Sequence, residues 1–323
     1  MPDESSCFVT GPTRQPVAER KYGAPFVAQP VTDRAAARDQ ADRCAREMGT
    51  GPLELIRESM CSTFTSGDVV IRVGHFGASP QAAAQLAEVL RRHDILVPNV
   101  VATFEVDEDK LGAIAYERVE ETGSDIEWAA VGAMVKRLHT TLTVAEIPED
   151  YPIAQPGNLP WWNFPDMISR LGAAEAVTAE QLKVLRAVAE DGDGWANLAM
   201  GSPVVINHGD VHPGNVIMSD DGPMLIDWDL LAVGSSLWDH VPLRAWSSPP
   251  WQGSSKAYHA FAAGYGEVAW SSHDLDQVVH MRNLAATLLR LIGTSGMEPR
   301  DEEAVRRLTY WVSPEMASPW TWG

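Results

Sequence analysis

The sequence predicts an α+β fold, because strand patterns are concentrated in its first third and around residue 210 and helical patterns fill most of the remainder. Its 323 residues are enough for one two-lobed unit or two modest domains. Residues 1–30 include Gly11-Pro12 and Pro16 and show little apolar pattern, which predicts a loose N-terminal arm. The rest divides best near residues 119–123, into residues 31–119 and 120–323.

The first part of the chain contains two predicted helices and several predicted strands. Asp33 to Glu47 has no Gly or Pro and is rich in Ala, Arg, Asp and Gln, which favours a helix. Ser79 to His93 begins with an N-cap serine and a first-turn proline and is the second predicted helix. The stretch Ser59–Gly67, made mostly of small residues, is predicted to be a loop between two strands. The strand patterns are at Leu53–Ile56, Asp68–Val73, Leu96–Val101 and Gly112–Val119.

Helical periodicity dominates the second part. An apolar face at helical spacing is formed by Val131, Met134, Val135, Leu138 and Leu142. His139, near the C-terminal end of this predicted helix, is expected to be a packing or capping residue rather than a catalyst. Further helices are predicted at Leu275 to Leu291 and Glu302 to Trp311.

A strand, a loop and a hairpin are predicted between residues 204 and 227. Val204–Ile206 has the pattern of a short buried strand, and Asn215–Met218 begins the next strand after a loop that contains His208-Gly209-Asp210. Ser219–Gly222 predicts a hairpin turn, after which the chain returns so that Asp227 emerges beside residue 215. Polar side chains from the loop and from both hairpin strands are therefore expected to converge.

Asp210, Asn215 and Asp227 are the side chains that a hydroxyl-directed kinase needs. One carboxylate receives the proton of the substrate hydroxyl, an amide binds a metal ion, and a second carboxylate joins the metal ion to phosphate. A metal-dependent phosphoesterase is the competing interpretation, because Asp210 and His212 have the spacing of metal ligands. That chemistry needs further ligands, and the nine histidines of the sequence form no obvious second cluster.

The ordered set resembles the catalytic loop and metal-binding aspartate of the protein-kinase-like fold, whose pattern is H-x-D-x-x-x-x-N followed by an aspartate after a hairpin. The His208-Gly209-Asp210 form, together with Ile226-Asp227-Trp228-Asp229, is similar to the aminoglycoside phosphotransferase family specifically. The resemblance covers roughly residues 53–312. It implies a small nucleotide-binding N-lobe with an antiparallel sheet over residues 31–119, and a larger, mainly helical catalytic and substrate-binding C-lobe over residues 120–323.

The resemblance also implies roles for the polar residues of the loop and hairpin. Asp210 would be the catalytic base, and His208 would be a structural member of the catalytic loop. Asn215 and Asp227 would be ligands of Mg²⁺. The supporting acids, which would either orient the loop or line the substrate cleft, are Asp229 and Asp239.

In this family the nucleotide lies against the N-lobe. Arg72 stands at the centre of a Val-Val-Ile-x-Val strand, where the kinase pattern has a lysine that pairs with the phosphates and with a helix glutamate. Arginine keeps the charge and can bind phosphate through two N–H groups, but its planar fork is longer. Its acidic partner is left open between Glu88, Gln85 and neither. The other implied nucleotide contacts are Ser59, Ser62 and Thr63 for the phosphates and the hinge backbone from Glu117 to Val119 for adenine.

The charge balance bears on the partners of the protein. Forty-four acidic residues against twenty-five Lys and Arg give a formal net charge of −19, which disfavours nucleic acid and anionic membranes and attracts cationic ligands. No apolar stretch is long enough to cross a bilayer and the first six residues lack the features of a secretion signal, so a cytoplasmic location is expected. The three cysteines have neither the number nor the spacing of a disulfide framework or a zinc site.

These observations predict a Mg²⁺-dependent O-phosphotransferase that moves the γ-phosphate of ATP or GTP to a hydroxyl of an antibiotic. An aminoglycoside or a similar cationic compound is the expected acceptor, because it complements the acidic chain. Two alternatives are a metabolic kinase of another amino alcohol or sugar and a pseudokinase that binds nucleotide without turnover. ATP and GTP both stay open as the phosphate donor, and the oligomeric state stays open as well.

Overall fold

The computed structural model describes residues 22–105, 111–297 and 301–321. It confirms the predicted α+β architecture, with an antiparallel sheet first and a mostly helical region after it. We call these the N-lobe and the C-lobe. Within the described ranges, no helix combines the length and the apolar character needed to cross a membrane.

The N-lobe consists of one antiparallel sheet and two helices. Its strands are β1 (Val27–Gln29), β2 (Glu54–Glu58), β3 (Ser62–Ser66), β4 (Val69–Phe76), β5 (Val100–Phe104) and β6 (Gly112–Glu117). Its helices are α1 (Arg34–Met48) and α2 (Pro80–Arg92). The strand order is β2-β3-β4-β6-β5, and β1 pairs with β4. Both helices begin where the sequence predicts, since the side chains of Asp33 and Ser79 accept hydrogen bonds from the first-turn backbone.

The predicted loop at Ser59–Gly67 is wrong, because Ser62–Ser66 within it forms β3. Alternate residues of this strand are buried, beginning with Ser62, and the residues between them, such as Thr63, are half-buried. This alternation, with β-branched and aromatic side chains, favours a strand over a loop. The connection between β2 and β3 is therefore only residues 59–61.

The end of the predicted N-terminal arm is part of the fold. Residues 1–21 lie outside the described residues, but β1 pairs with β4, and Phe26 is only 1% exposed. The Phe26 ring stacks on Phe76 of β4 at 4.8 Å and on Tyr151 of the C-lobe at 4.9 Å between centroids. The segment around Phe26 therefore joins the two lobes, and the prediction of a loose arm is wrong for it because three rings pack together there.

The C-lobe begins with α3 (Trp128–Thr141), whose buried face includes the apolar residues predicted from helical spacing. The helices that follow are α4 (Phe164–Ala173), α5 (Ala179–Asp191), α6 (Trp195–Ala199), α7 (Val241–Trp246), α8 (Ser255–Tyr265), α9 (Ser272–Gly293) and α10 (Glu302–Val312). Short strands lie between α6 and α7, namely β7 (Val204–Asn207), β8 (Val216–Ser219), β9 (Gly222–Leu225) and β10 (Ala232–Ser235). β7 pairs with β10 and β8 pairs with β9, both antiparallel.

These strand pairs bring the loop after β7 next to the chain after β9. Ser219 pairs with Gly222, so the predicted hairpin turn is confirmed. Beyond the hairpin pairing, the Ile226 N–H donates to the Asn215 carbonyl oxygen at 3.1 Å. The residues at the two strand ends are thereby fixed side by side.

We expect Phe26→Ala to lower the free energy of unfolding by about 3 kcal/mol, because it leaves a cavity between rings of both lobes. Urea unfolding followed by circular dichroism measures the change. Tyr22→Ala is the control. Because Tyr22 is 42% exposed, this substitution should change the free energy of unfolding by less than about 0.5 kcal/mol. Small and equal effects of both variants would contradict the packing described for Phe26.

Candidate active site

A buried carboxylate fixes the loop that follows β7. His208 and Gly209 donate their backbone N–H groups to Oδ2 and Oδ1 of Asp239, at 2.9 and 2.7 Å. Asp239 is fully buried. Burial raises the pKa of Asp239, but its hydrogen bonds with His139 and with the Gly209 N–H outweigh burial, so the pKa lies below its ordinary value. The loop backbone is therefore bound to a buried anion.

Asp239 is itself held by two helices. His139 of α3 places Nε2 2.9 Å from Oδ2 of Asp239, and its Nδ1 lies 2.9 Å from the Tyr265 hydroxyl of α8. His139 is thus a buried partner of Asp239, which matches the packing role expected from the sequence. Of the two roles left open for Asp239, these contacts support the one that orients the loop, because a buried side chain does not line a cleft.

Gly209 and His208 determine the shape of the loop. Gly209 has a φ of 91°, and a Cβ there would overlap the Leu230 carbonyl oxygen, so the position requires glycine. His208 Nδ1 accepts from the Asp210 N–H at 3.2 Å, and its Nε2 lies 3.0 Å from the Ile226 carbonyl oxygen, to which it donates. The ring therefore connects the loop to the end of the β8–β9 hairpin, which supports the structural role expected for His208.

Asp210 follows in the loop, with its side chain 23% exposed. Arg282 of α9 places Nη2 2.7 Å from Oδ1, whereas Oδ2 lies 3.3 Å from His212 Nε2 and 3.4 Å from Asn215 Nδ2. Burial raises the pKa of Asp210, but the charges of Arg282 and then His212 outweigh it and hold this pKa well below its usual range. Asp210 is therefore ionised at neutral pH and able to accept a hydrogen bond from a hydroxyl.

Arg282 is not among the site residues predicted from the sequence. This residue lies in the helix predicted at residues 275–291, on a face that also carries the buried Val278 and Ala285. A long charged side chain on an apolar helix face needs a partner in the interior. This placement is the signal that the sequence offers, but it does not say which acid is the partner.

Asn215 and Asp227 present oxygen atoms at the open end of the hairpin. Asn215 Nδ2 donates to the Asp210 carbonyl oxygen at 2.9 Å. Asp227 has a φ of 66° and a side chain that is 44% exposed. Left-handed backbone in a residue other than glycine is concentrated at functional sites.

This donor set fits Mg²⁺ bound together with a nucleotide. Mg²⁺ is usually held by one or two protein oxygens, with phosphate oxygens and waters as its other ligands. The described part of the chain has no group of three or more His, Cys, Asp or Glu side chains that could hold a metal ion by themselves. A phosphoesterase site around Asp210 and His212 would need such a group, so the described residues give that interpretation no support.

Arg72 of β4 faces the end of the hairpin and not α2. Its Nη2 lies 2.8 Å from Oδ2 of Asp229 and 3.4 Å from Oδ1 of Asp227. Over the residues that the structure covers, these two acids are its ion-pair partners, whereas Gln85 and Glu88 are exposed on α2. Three alternatives were open for the helix partner of Arg72, namely Glu88, Gln85 and neither. The structure supports the third.

Asp229 lies between Arg72 and the segment that precedes β1. Its carbonyl oxygen accepts from the Phe26 N–H at 2.9 Å. Burial raises the pKa of Asp229, Arg72 lowers it, Asp227 raises it again, and the resulting pKa is about 6. These contacts support a role for Asp229 in holding Arg72.

The small residues predicted to contact phosphate lie in different environments. Thr63 is the cross-strand partner of Arg72 in β4, so both side chains are on the same side of the sheet. Ser62 is fully buried on the other side, where its hydroxyl accepts from Arg34 Nη1 at 3.4 Å. Ser59 is exposed after β2. The structure therefore leaves Thr63 and Ser59 as candidates and does not support a phosphate contact by the Ser62 hydroxyl.

Two of the backbone N–H groups in the hinge after β6 already donate hydrogen bonds within the protein. The Glu117 N–H donates to the Asn99 carbonyl oxygen, and the Arg118 N–H donates to the Asp68 carbonyl oxygen, both at 2.8 Å. Val119 is half-buried, and its N–H makes no hydrogen bond to another described residue. Of the adenine contacts predicted from Glu117 to Val119, the Val119 N–H is thus the available donor.

We expect Asp239→Asn to lower the free energy of unfolding by about 3 kcal/mol, because it disrupts a buried charge that three donors satisfy. Thermal or urea unfolding measures this change. Asp276→Asn is the matched control: Asp276 pairs with Arg244, but its side chain is 51% exposed, so a loss below about 1 kcal/mol is expected. Similar losses in the two variants would show that Asp239 does not have the structural importance described here.

A model of the APH family, described as the phosphotransferase enzyme family, matches residues 62–276. A search of curated proteins gives no match. Among solved structures, spectinomycin phosphotransferase APH(9)-Ia with ADP and spectinomycin is 14% identical, with a TM-score of 0.60 over 84% of this chain and 90% of that chain. A choline/ethanolamine kinase family protein from Mesorhizobium loti is 20% identical, with a TM-score of 0.59 over 88% and 95%. The amicoumacin kinase hAmiN with AMP-PNP, Ca²⁺ and Ami is 12% identical, with a TM-score of 0.65 over 90% and 98%.

At these identities the structural matches establish the fold, and they confirm the predicted two-lobed kinase-like architecture. The family match covers more than half of the chain and includes Arg72, Asp210, Asn215 and Asp227. The chain therefore belongs to the APH family of phosphotransferase enzymes.

Proposed function

We propose that the protein transfers the γ-phosphate of ATP or GTP to a hydroxyl group of a small molecule, with Mg²⁺ as cofactor. The observation that carries this proposal is the hydrogen bond between Asn215 and Asp210, whose side chain is ionised. Asp227, which contacts Arg72, lies at the same end of the hairpin. These are the base, the amide and the carboxylate that phosphoryl transfer requires. Membership of a phosphotransferase family supports the same reaction class.

In the proposed reaction, Asp210 accepts a hydrogen bond from the acceptor hydroxyl and orients it for in-line attack on the γ-phosphorus. The hydroxyl proton passes to the Asp210 carboxylate as the new O–P bond forms. Asn215 and Asp227 would hold Mg²⁺, which when bound neutralises charge on the phosphate oxygens. Arg72 approaches Asp227 from the N-lobe and so is available to bind the phosphates from that side.

The nucleotide is proposed to bind between residues 31–119 and residues 120–323, which we propose as the two functional lobes. The Val119 N–H would bind adenine, and Thr63 would lie near the phosphates beside Arg72. A cytoplasmic location is part of the same proposal, since the reaction consumes ATP or GTP.

The proposed acceptor is a hydroxyl-bearing antibiotic, with an aminoglycoside or a similar cationic compound first. The net charge of −19 supports this choice, because an acidic protein concentrates cationic ligands near its surface. The likeness to an antibiotic kinase that binds spectinomycin is consistent with it.

A metabolic kinase of an amino alcohol or sugar is the second candidate. The observation that favours it is a TM-score to a choline/ethanolamine kinase family protein equal, within 0.01, to the TM-score for the spectinomycin enzyme. A pseudokinase that binds nucleotide without turnover is the third, motivated by arginine at position 72. The complete set of Asp210, Asn215 and Asp227 argues against the third candidate, because it supplies the groups that phosphoryl transfer requires.

We expect the wild-type protein to transfer phosphate in a Mg²⁺-dependent manner to at least one member of a panel of aminoglycosides, macrolides, peptide antibiotics and amino alcohols, with ATP and GTP tested in parallel. Asp210→Asn should lower kcat by about 10²–10⁴-fold, because the base is lost. Asp221→Asn, in the exposed hairpin turn, is the matched control and should leave kcat unchanged. Nucleotide binding with no transfer to any acceptor would favour the pseudokinase.

We expect Arg72→Ala to raise the KM for the nucleotide about 10–100-fold, because it removes a charge-assisted contact worth about 1.5–3 kcal/mol. Initial rates at varied nucleotide concentration measure this. Arg57→Ala removes an exposed arginine from β2 of the same lobe and should have no effect. An unchanged KM in Arg72→Ala would exclude Arg72 from nucleotide binding.

A further inference from the structure

An arginine from the C-terminal helices reaches the residue proposed as the catalytic base. Arg282 lies in α9, 72 residues after Asp210, and its Nη2 is 2.7 Å from Oδ1. The side chains are only 25% and 23% exposed, so solvent screens the pair less than an exposed pair. The pair therefore links the loop after β7 to α9, a helix that is distant from this loop in the sequence.

The two oxygens of Asp210 have unequal contacts. Oδ1 is bound at 2.7 Å, a short distance typical of a charge-assisted hydrogen bond. Oδ2 has its described contacts at 3.3 Å to His212 Nε2 and 3.4 Å to Asn215 Nδ2, beyond the usual range for a strong hydrogen bond. Oδ2 is thus the oxygen that an incoming hydroxyl can bind without breaking a strong contact.

The position of Arg282 is fixed by the packing of α9. Four of its neighbours on the helix, three and four residues away, are Val278, Val279, Ala285 and Ala286, of which the first three are buried. A rigid helix face holds a side chain more precisely than a loop does. Arg282 therefore contacts Asp210 Oδ1 from a packed helix, while Asp239 binds the backbone of the loop.

We infer that Arg282 is a positioning residue for phosphoryl transfer, which holds Oδ1 of Asp210 so that Oδ2 faces the acceptor hydroxyl. The inference rests on the function proposed above. In the step, the acceptor O–H bond breaks and its proton goes to Oδ2, while the acceptor oxygen forms a bond to the γ-phosphorus. The bond between that phosphorus and the bridging oxygen breaks, and its electron pair leaves with the nucleoside diphosphate.

A purely structural ion pair and an acceptor-binding arginine are the competing roles. Removing a purely structural pair would lower the free energy of unfolding and leave kcat unchanged, because such a pair makes no contact that is stronger in the transition state than in the ground state. An acceptor-binding arginine would change the KM for the acceptor at unchanged kcat. Loss of a positioning residue lowers kcat and leaves both KM values unchanged, because misplacing a catalytic group by about 1 Å costs about 100-fold in rate.

The test compares Arg282→Gln and Arg282→Lys with Arg290→Gln. Arg290 is the matched control, because it lies in the same helix and pairs with Asp301 at 2.8 Å, with exposures of 28% and 19%. The assay measures kcat and both KM values for an acceptor that the wild type phosphorylates, and urea unfolding verifies that each variant is folded. We expect Arg282→Gln to lower kcat about 100-fold, Arg282→Lys to recover part of that loss, and Arg290→Gln to keep the wild-type kcat.

The outcomes separate this inference from the function on which it rests. If the wild type phosphorylates no acceptor in the panel, the proposed function and this inference fall together. If the wild type is active and folded Arg282→Gln keeps the kcat of Arg290→Gln, only the positioning role is overturned. A higher KM for the acceptor in Arg282→Gln, at unchanged kcat, also overturns it and identifies Arg282 as an acceptor-binding residue.

Discussion

The site depends on the hydrogen bonds that the Asp239 carboxylate accepts from the backbone of the loop after β7, which we propose as the catalytic loop. A buried anion is stable only when donors satisfy its oxygens, and the donors here are two loop amides and His139. Because consecutive amides point at one carboxylate, the loop backbone has little freedom to change. The position of Asp210 follows from this, as does the contact of His208 with the hairpin.

The parts of the site that the sequence predicts are local ones. Spacing along the chain is sufficient to place a loop between two strands and a turn at Ser219–Gly222. The order of β7 and β8 confirms the loop, and the register of β8 with β9 confirms the turn. The Ser79 cap of α2 and the apolar face of α3 are confirmed for the same reason. Each of these features depends on residues within a few positions of one another.

The parts that the sequence did not reveal are contacts between distant residues. Arg282 meets Asp210 across 72 positions, His139 meets Asp239 across 100, and Arg72 meets Asp229 across 157. No local pattern states which of many charged residues becomes the partner, because tertiary packing decides it. The same limit explains the missed strand β3, whose small residues also suit a loop, and the predicted loose arm, whose Phe26 is buried only once both lobes are present.

Amide hydrogen exchange at His208 and Gly209 tests the central claim most directly, namely that Asp239 preorganises the loop after β7. Both amides should exchange slowly in the ligand-free wild type and quickly in Asp239→Asn. The Val233 amide, which donates to the Ala154 carbonyl oxygen at 2.9 Å, should exchange slowly in both proteins and so reports any global loosening. Rapid exchange of both loop amides in the wild type, or equal protection in the variant, would contradict the account.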